Sequence, residues 1–499
     1  MLQAARPSEE MRVSSAAFVI VASLSMRLPL LLCLAAVAPL AAQETPTERE
    51  AARDVLRKMA VLEQSIDAPA FVNRLTAANP ARDAVVARAR ELMEQDLIAL
   101  GDDITKHPEV GFVEVNSVRK LTDYLRAHGF DVEMGVAKLP TAFVARYRKN
   151  NGAPNLGVIL EYDALRGTKG AFHGDQHSTQ GPIGIAAAVA MAEYLSAHKL
   201  PGSVTVFGAP GEEMMPPNAK TDMFEAGVFT GADILLRSHA SGATMRPAPG
   251  FGSCCMNIDG TKYTFSGAPA HQLTAWNGRN ALTAVIHLFD GIDGIRSNIR
   301  PESRVQGVIT EGGVAPNVVP DRTAADFYIR YPDAVYLEQL TAMVDDAARA
   351  AALGTGTKVK IDHYGKARDG IAVSSLADVG FAYMKKYGAT NVIPEPGKPQ
   401  GYEETGSVSS AIPGLGFAAQ TSFAPNHTYE MEADALADVG HKGFLVDAQA
   451  MTALLFDFAT HADYRAAVKR EFDGIKALFG EYQAALKKTY VSPRVPEPN

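Results

Sequence analysis

The sequence predicts an α/β protein with an inserted ferredoxin-like unit, and three observations lead to this fold class. Short apolar runs alternate with helical patterns up to about residue 253. A stretch from about 256 to 368 has the order β-α-β-β-α-β, the split βαβ arrangement of ferredoxin-like units. The α/β character resumes after about residue 370. We therefore expect one α/β domain in two parts, interrupted by an independent unit.

Length and composition are those of a globular protein with room for more than one domain. The chain has 499 residues, of which 47% are hydrophobic and 21% are charged, so a disordered or fibrous protein is excluded. The formal net charge is −8, and no basic cluster is interleaved with aromatic residues. We therefore expect no nucleic-acid partner.

The N-terminal segment, residues 1–42, has the pattern of a secretory signal peptide. Residues 26–42 combine a short basic start, an apolar core and small residues before Gln43. The apolar stretch is short for a permanent membrane span. We expect cleavage near residue 42 and export to the periplasm or beyond, with an uncleaved anchor as the alternative. Residues 1–25, which contain Met11, are consistent with a start codon assigned too far upstream.

The elements follow in order along the mature chain. Residues 43–130 are predicted to be largely helical, with interruptions at Pro108 and Gly111. Strands are predicted at 156–160, 203–207 and 233–236, with an Ala-rich helix at about 184–199. In the insert, we expect strands at 262–265, 304–309, 323–329 and 358–363, and helices at 279–295 and 337–352. The proline-rich tail at 491–499 is expected to fray.

Polar residues follow several predicted strands, and Glu212-Glu213 is the most informative pair. Neighbouring side chains on an extended backbone point to opposite sides, so one carboxylate could hold a metal and the other face a water. In open α/β sheets, ligands bind beyond the carboxyl ends of the strands. Other such residues are Glu161, Asp163, His239 and the run His173-Gly-Asp-Gln-His177. A lone glutamate pair or histidine usually lies on the surface, but their common placement predicts a metal site.

Aspartate, glutamate and histidine donors suit zinc or a similar divalent ion. Asp175 and His177 are two residues apart, so both could face one ion from a bending loop. Glu213, His239 and His427 would complete the set, and Asp175 could bridge two ions. Cys254 and Cys255, the only cysteines after the leader, could form only a strained vicinal disulfide, so no disulfide framework is expected. They are interpreted as half-buried small apolar residues rather than ligands or nucleophiles.

Motifs over about residues 90–460 occur in the order of a known family. They are His107–Phe112, Glu161–Leu165, His173–His177, Ala209–Glu213, His239, Gly267–His271, Gly312–Pro320, His427–Thr428 and Gly440–Gly443. The chain resembles the dinuclear-metal aminoacylase and carboxypeptidase family, in particular the branch of aminobenzoyl-glutamate hydrolase and indole-acetyl-amino-acid hydrolases. The resemblance implies a zinc-exopeptidase-like catalytic domain at 43–255 and 369–490, with a lid or dimerisation domain at 256–368.

The resemblance also implies roles for individual residues. His177, Glu213, His239 and His427 fall on metal-ligand positions, and Glu212 falls on the general base that activates a water. His271 matches a lid histidine that reaches the partner's active site and steadies the oxyanion, and Asn317 falls in a lid motif near the substrate. Without the family order, His271 would be interpreted as a surface residue and Asn317 as a turn residue.

Two departures from this branch affect the prediction. Asp175 stands where the branch usually has cysteine, and an oxygen ligand favours harder ions such as manganese or zinc. The segment Glu403-Glu-Thr-Gly406 stands where relatives tend to carry Thr-Asp-Val-Gly. The resemblance is therefore a weaker guide to substrate contacts near residue 404.

The predicted function is a metal-dependent amidohydrolase, a homodimer, that cleaves N-acyl or N-aroyl amino acids or short peptides. Glu212 would act as the general base toward a metal-activated water. One alternative is a carboxypeptidase or dipeptidase on larger peptides, and another is a non-catalytic exported binding protein of the same fold. A serine hydrolase is excluded because the chain has no Gly-x-Ser-x-Gly elbow.

Overall fold

The computed structural model describes residues 46–490, except residues 148, 150, 215–218, 254 and 395–396. The predicted signal peptide and the predicted tail lie outside the described residues. Within the described part of the chain, no helix is both long enough and apolar enough to cross a membrane.

The larger sheet has six strands, in the order β1-β2-β6-β3-β7-β14. Strands β3, β6, β7 and β14 are parallel, and β1 and β2 add an antiparallel edge. Two further pairs are β4 with β5 and β8 with β13. The strands outside the insert are β1 (Phe130–Met134), β2 (Phe143–Tyr147), β3 (Asn155–Leu160), β4 (Leu165–Gly167), β5 (Gly170–Phe172), β6 (Ser203–Gly208), β7 (Ile234–Ser238), β8 (Gly250–Gly252), β13 (Gly370–Ala372) and β14 (Gly414–Phe417).

Helices pack around this sheet. Outside the insert they are α1 (Pro46–Ile66), α2 (Ala68–Leu75), α3 (Pro80–Leu92), α4 (Ile98–Lys106), α5 (Val115–Ala127), α6 (His177–Ala197), α7 (Ala219–Glu225), α10 (Ser374–Lys386), α11 (Tyr429–Ala435), α12 (Asp438–Thr460) and α13 (Ala462–Thr489). The expectation of a largely helical region before residue 130 agrees with α1 to α5.

Helix α6 begins seven residues earlier than the sequence predicts. Pro182 lies inside it, and Gly181 and Gly184 are poor helix formers, so local propensity placed the start too late. The helix is almost wholly buried against the sheet, and a Cβ on Gly184 would lie 2.3 Å from Leu160 Cδ2. Close packing against β3 therefore overrides the propensity of these residues.

The insert, residues 257–367, is a four-stranded antiparallel sheet with two helices. Its elements are β9 (Asn257–Ser266), α8 (Ala281–Ile295), β10 (Arg304–Glu311), β11 (Arg322–Tyr331), α9 (Ala334–Thr355) and β12 (Lys358–Ala367). The strand order is β10-β11-β9-β12. The core of the insert includes Tyr263, Phe327, Leu288 and Leu340, and side chains from α1 and α13 also belong to it. The predicted fold class is confirmed: an α/β protein with an inserted ferredoxin-like β-α-β-β-α-β unit.

Helix α13 contacts both the insert and the larger α/β part. The buried carboxylate of Glu471 accepts hydrogen bonds from the backbone N–H and hydroxyl groups of Ser374 and Ser375, and so caps α10. Just beyond the helix, the Tyr490 hydroxyl donates to Asp333 Oδ2 at 3.0 Å, and the Tyr490 carbonyl accepts from Gln339 Nε2 at 2.9 Å. The helix therefore fixes the insert to the larger part.

Candidate metal centre

The predicted ligands lie at the carboxyl edge of the four parallel strands. Glu161 and Asp163 follow β3, Glu212 and Glu213 follow β6, and His239 follows β7. His427 lies in the loop after β14, and Asp175 and His177 lie at the start of α6. These five segments converge because parallel strands end at one edge of the sheet.

Glu212 and Glu213 lie in a turn of 3₁₀ helix (Glu212–Met214), so the expected extended backbone was wrong here. Gly211 has φ +66° and redirects the chain after β6. The Gly211 N–H donates to Glu114 Oε1 at 2.8 Å, and the Glu213 N–H donates to Asp163 Oδ2 at 2.9 Å. Two buried carboxylates thus hold the turn that carries the glutamate pair.

His177 is at the centre of the cluster and is fully buried. Its Nδ1 lies 3.1 Å from Asp163 Oδ1, and its Nε2 lies 3.6 Å from Glu161 Oε2 and 3.8 Å from Glu212 Oε2. The ring of His239 is 5.6 Å away, between centroids. In the neutral tautomer whose Nδ1–H donates a hydrogen bond to Asp163 Oδ1, the lone pair of Nε2 is available to a metal ion.

Asp175, Glu213 and His427 form a second group beside the first. His427 Nε2 lies 3.0 Å from Asp175 Oδ2 and 3.9 Å from Glu213 Oε2. Donor atoms of this group lie within 4.8 Å of one another, as do those of Glu161, His177 and His239 and those of His177, Glu212 and Glu213. All five predicted ligands therefore have a donor atom in these adjoining groups.

The donor set fits a divalent cation. His177 Nε2 and Asp175 Oδ1 are buried and have no hydrogen-bond partner among the described residues. A buried polar atom without a partner is costly, and a metal ion would satisfy both atoms. Imidazole nitrogen and carboxylate oxygen are the ligands that zinc and similar ions prefer.

A buried ion network lies behind the cluster. Glu161 accepts from Gln180, Lys220 and Arg237, and Glu404 pairs with Lys220 and Arg237. Burial raises the pKa of Glu161, but the charges of Lys220 and Arg237 lower it well below its ordinary value. Glu161 therefore stays ionised, although its lone pairs are largely taken by internal donors.

Burial raises the pKa values of the glutamate pair. The pKa of Glu213 rises to about 8, and that of Glu212 rises well above its ordinary value, with Glu404 and Glu161 adding to the effect of burial. A nearby divalent cation would oppose both shifts because it stabilises the carboxylate form.

A cavity of about 600 Å³ opens over the cluster. Its wall includes Arg330 from β11 of the insert, whose guanidinium donates to the Cys255 carbonyl at 3.0 Å. Burial lowers the pKa of Arg330, and no carboxylate among the described residues forms an ion pair with it. The same cavity is therefore lined by a half-buried cation and by the acidic cluster.

Cys255 carries a disulfide bond and is exposed at the cavity wall, so the interpretation of a half-buried apolar residue was wrong. Cys254 lies outside the described residues.

His271 and Asn317 do not line this cavity. Both are exposed in one corner of the insert, where the Asn317 carbonyl accepts from the Gln272 N–H at 3.1 Å. The His271 Nδ1 accepts from the Leu273 N–H at 3.1 Å. Leu273 and Trp276 beside it are 75% and 76% exposed. A single protomer therefore does not bring these two residues to the metal ligands.

Sequence reasoning assigned no role to Lys220, Arg237 or Arg330. Each of these residues lies in a different segment. A charged residue whose partner is distant in sequence leaves no local pattern that reveals the pairing. Arg237 had the clearest signal, because it precedes His239 by two residues on a strand and an apolar strand rarely carries a charge without a partner.

Comparisons with known proteins show similarity of this chain to peptidases and amide hydrolases. A sequence model described as a peptidase dimerisation domain matches residues 251–355. Xaa-Arg dipeptidase of Homo sapiens is 31% identical over 64% of this chain and 74% of that protein. One of the subunits of p-aminobenzoyl-glutamate hydrolase of Escherichia coli is 32% identical over 54% of this chain and 58% of that protein.

Solved structures share the fold at low identity. A dinuclear metal-binding peptidase of the M20 family from Bacillus subtilis has a TM-score of 0.53 and 17% identity, over 74% of this chain and 99% of that chain. The aminobenzoyl-glutamate utilization protein of Klebsiella pneumoniae has a TM-score of 0.52 and 19% identity, over 73% and 96%.

Proposed function

Because this chain belongs to the M20 family of metal-dependent peptidases and amidohydrolases, we propose that it hydrolyses N-acyl or N-aroyl amino acids or short peptides. The main support for this substrate class is the position of Arg330. Its guanidinium lines the same cavity as Glu212, Glu213 and His239, and no described carboxylate neutralises it. A guanidinium binds a carboxylate through two parallel hydrogen bonds, so it would hold the α-carboxylate of an amino acid whose amide lies over the cluster.

Asp175, His177, Glu213, His239 and His427 would hold two divalent ions, zinc or manganese. The arrangement of the donors supports this number, because Asp175, Glu213 and His427 form one group and Glu161, His177 and His239 form another. Such ions, when bound, polarise a substrate carbonyl and lower the pKa of water.

Glu212 is proposed as the general base. Its carboxylate lines the cavity, and its Oε2 lies 3.8 Å from His177 Nε2. Burial, Glu404 and Glu161 raise its pKa, and a raised pKa suits a carboxylate that takes a proton near neutral pH. It would accept the proton of the attacking water and pass it to the leaving amine nitrogen.

His271 is proposed to act across a homodimer, with Asn317 beside it near the substrate. Its segment carries exposed Leu273 and Trp276, and such a patch is typical of a protein–protein contact. The region lies within the match to a peptidase dimerisation domain. From the partner subunit, the imidazole would donate a hydrogen bond to the oxyanion that forms at the substrate carbonyl.

A dipeptidase acting on a basic C-terminal residue is the second candidate function. It is favoured by the likeness to human Xaa-Arg dipeptidase. The described cavity offers limited support for it, because Glu404, an acid on its wall, is already paired with Lys220 and Arg237.

The test is a substrate screen with a matched pair of arginine variants. Zinc-loaded or manganese-loaded protein is assayed on N-acyl amino acids, on dipeptides and on the carboxamides of the same N-acyl amino acids. We expect chelator-sensitive hydrolysis that requires the free carboxylate. Arg330→Met should lower kcat/KM by about 10- to 150-fold, the range for a hydrogen bond to a charged group.

Arg322→Met is the control, because Arg322 lies on the same strand but is exposed and pairs with Glu311. Equal rates on acids and carboxamides would contradict the role of Arg330. A metal-loaded protein that binds these compounds without turnover would favour the non-catalytic alternative.

Export remains a proposal that rests on the predicted signal peptide. Mass spectrometry of the mature N-terminus from the native host would test it, with a start near Gln43 expected. Detection of peptides from residues 1–42 in the mature protein would contradict cleavage.

A further inference from the structure

Asp447 is a buried carboxylate on α12 with no cation partner among the described residues. It is 0% exposed, and its two oxygens accept one hydrogen bond each. Ser238 Oγ donates to Oδ2 at 2.6 Å, and the Ala419 N–H donates to Oδ1 at 3.0 Å. Burying a carboxylate without a cation is costly, and hydrogen bonds from two neutral donors offset only part of that cost. Stability alone therefore does not explain why this residue lies in the core.

The two donors belong to the segments that carry His239 and His427. Ser238 ends β7 and directly precedes His239. Ala419 lies just after β14, at the start of the loop 418–428 that leads to His427. Asp447 is therefore hydrogen-bonded both to the residue next to His239 and to the start of the loop that carries His427.

Other contacts hold the same two segments together, but all are between neutral groups. The His239 N–H donates to the Phe417 carbonyl at 2.8 Å, and the Thr421 N–H donates to the Ser241 carbonyl at 2.8 Å. At its far end, the loop is fixed by the His427 N–H, which donates to the Gly174 carbonyl at 3.0 Å. The carboxylate of Asp434 on α11 also accepts from the loop, at Ser422 Oγ and at the Phe423 N–H, but it bonds the loop alone. Asp447 bonds both segments, through Ser238 and Ala419.

We infer that Asp447 is a positioning residue that sets the spacing of His239 and His427 and thereby the affinity of the site for divalent cations. The inference rests on the proposed metal site. Groups that orient metal ligands without touching the metal typically contribute 10- to 100-fold to metal affinity. Asp447 acts here through the backbone rather than through a ligand ring.

The test measures zinc affinity by competition with a chromophoric chelator, using full-length mature protein and its variants. Asp447→Ala should weaken zinc binding by about 10- to 100-fold. Asp447→Asn should stay within about threefold of wild type, because its amide can accept from the Ala419 N–H and donate to Ser238 Oγ. Ser238→Ala removes one of the two bonds and should weaken binding by about two- to tenfold.

Thr452→Val is the matched control, because Thr452 is also buried on α12 but bonds only the Ala448 carbonyl of its own helix. A purely structural role would lower the thermal unfolding midpoint of Asp447→Ala and of the control alike, without changing zinc affinity. Wild-type affinity in Asp447→Ala would overturn the inference, and if that variant does not fold, wild-type affinity in Ser238→Ala would do so. A wild-type protein that takes up no zinc would instead contradict the proposed metal site.

Discussion

At the scale of single residues, Glu212 and Glu213 show how neighbours in the chain can have separate tasks. The backbone of their turn is held by Glu114 and Asp163, while the two side chains face His177 from different sides. Glu213 Oε1 lies 3.9 Å from His177 Nδ1, and Glu212 Oε2 lies 3.8 Å from His177 Nε2. A change at Glu212 should therefore leave the geometry of Glu213 intact.

Glu212→Gln should fold, bind zinc like wild type and lose most of its turnover. The amide keeps the shape of the carboxylate but cannot accept the proton of water at neutral pH, so kcat should fall by about 10²- to 10⁴-fold. The measurement is kcat on the best substrate of the screen, together with zinc content by mass spectrometry. Glu225→Gln, an exposed acid on the nearby helix α7, should keep full activity. A variant with more than a tenth of wild-type kcat would exclude Glu212 as the base.

At the scale of elements, a buried polar network joins the helices behind the sheet. The Arg82 side chain of α3 is 1% exposed and donates to Tyr383 Oη of α10 at 2.9 Å. Tyr383 in turn donates a short hydrogen bond to Asp457 Oδ2 of α12. The carboxyl group of Asp457 therefore takes part in the packing of three helices.

The stability of the metal-free protein should depend on pH through Asp457. Burial raises its pKa to about 6, above the ordinary value of 3.8. The folded state then binds this proton more tightly than the unfolded state. The contribution of Asp457 to the free energy of unfolding is therefore fully present below pH 3.8, and it is lost as the pH rises through 6. The loss amounts to about 3 kcal/mol at full effect.

The measurement is the urea midpoint of wild type and of Asp457→Asn, both with chelator, from pH 4 to pH 7. The asparagine variant lacks this titration, so the wild-type midpoint should fall more steeply with pH. Parallel curves for the two proteins would show that Asp457 has the same pKa in the folded and unfolded states.

Helix boundaries and turns show where sequence patterns suffice. Short apolar runs predict three of the four parallel strands and the elements of the insert, because these patterns are local, whereas β14 was not predicted. The start of α6 and the 3₁₀ turn at Glu212 depend on burial and on contacts with distant residues. The network of Lys220, Arg237 and Glu404 joins segments about 180 residues apart, so no local pattern predicts it.

At the scale of the whole molecule, the exposed corner of the insert predicts an oligomer. His271 was expected to reach a partner's active site and Asn317 to lie near the substrate, and both lie away from the cavity of their own subunit. A homodimer would reconcile the family motif with this placement.

Trp276 is the only tryptophan of the chain and should report dimer formation. It is 76% exposed beside His271, so burial against a partner should shift its fluorescence to shorter wavelengths as concentration rises. Light scattering over the same concentration range should show the mass doubling. Leu273→Asp should weaken the dimer and reduce kcat together, whereas Lys360→Asp, at an exposed site on β12, should do neither. A monomeric mass at all concentrations with full activity would contradict the dimer.

Helix α13 has a consequence for engineering this protein. Leu486 and Tyr490 pack into the hydrophobic core of the insert, and Val55 of α1 joins them there. The insert is therefore not a self-contained module. Grafting it from a relative would leave these side chains facing a foreign surface, so a soluble chimera would have to exchange both terminal helices along with it.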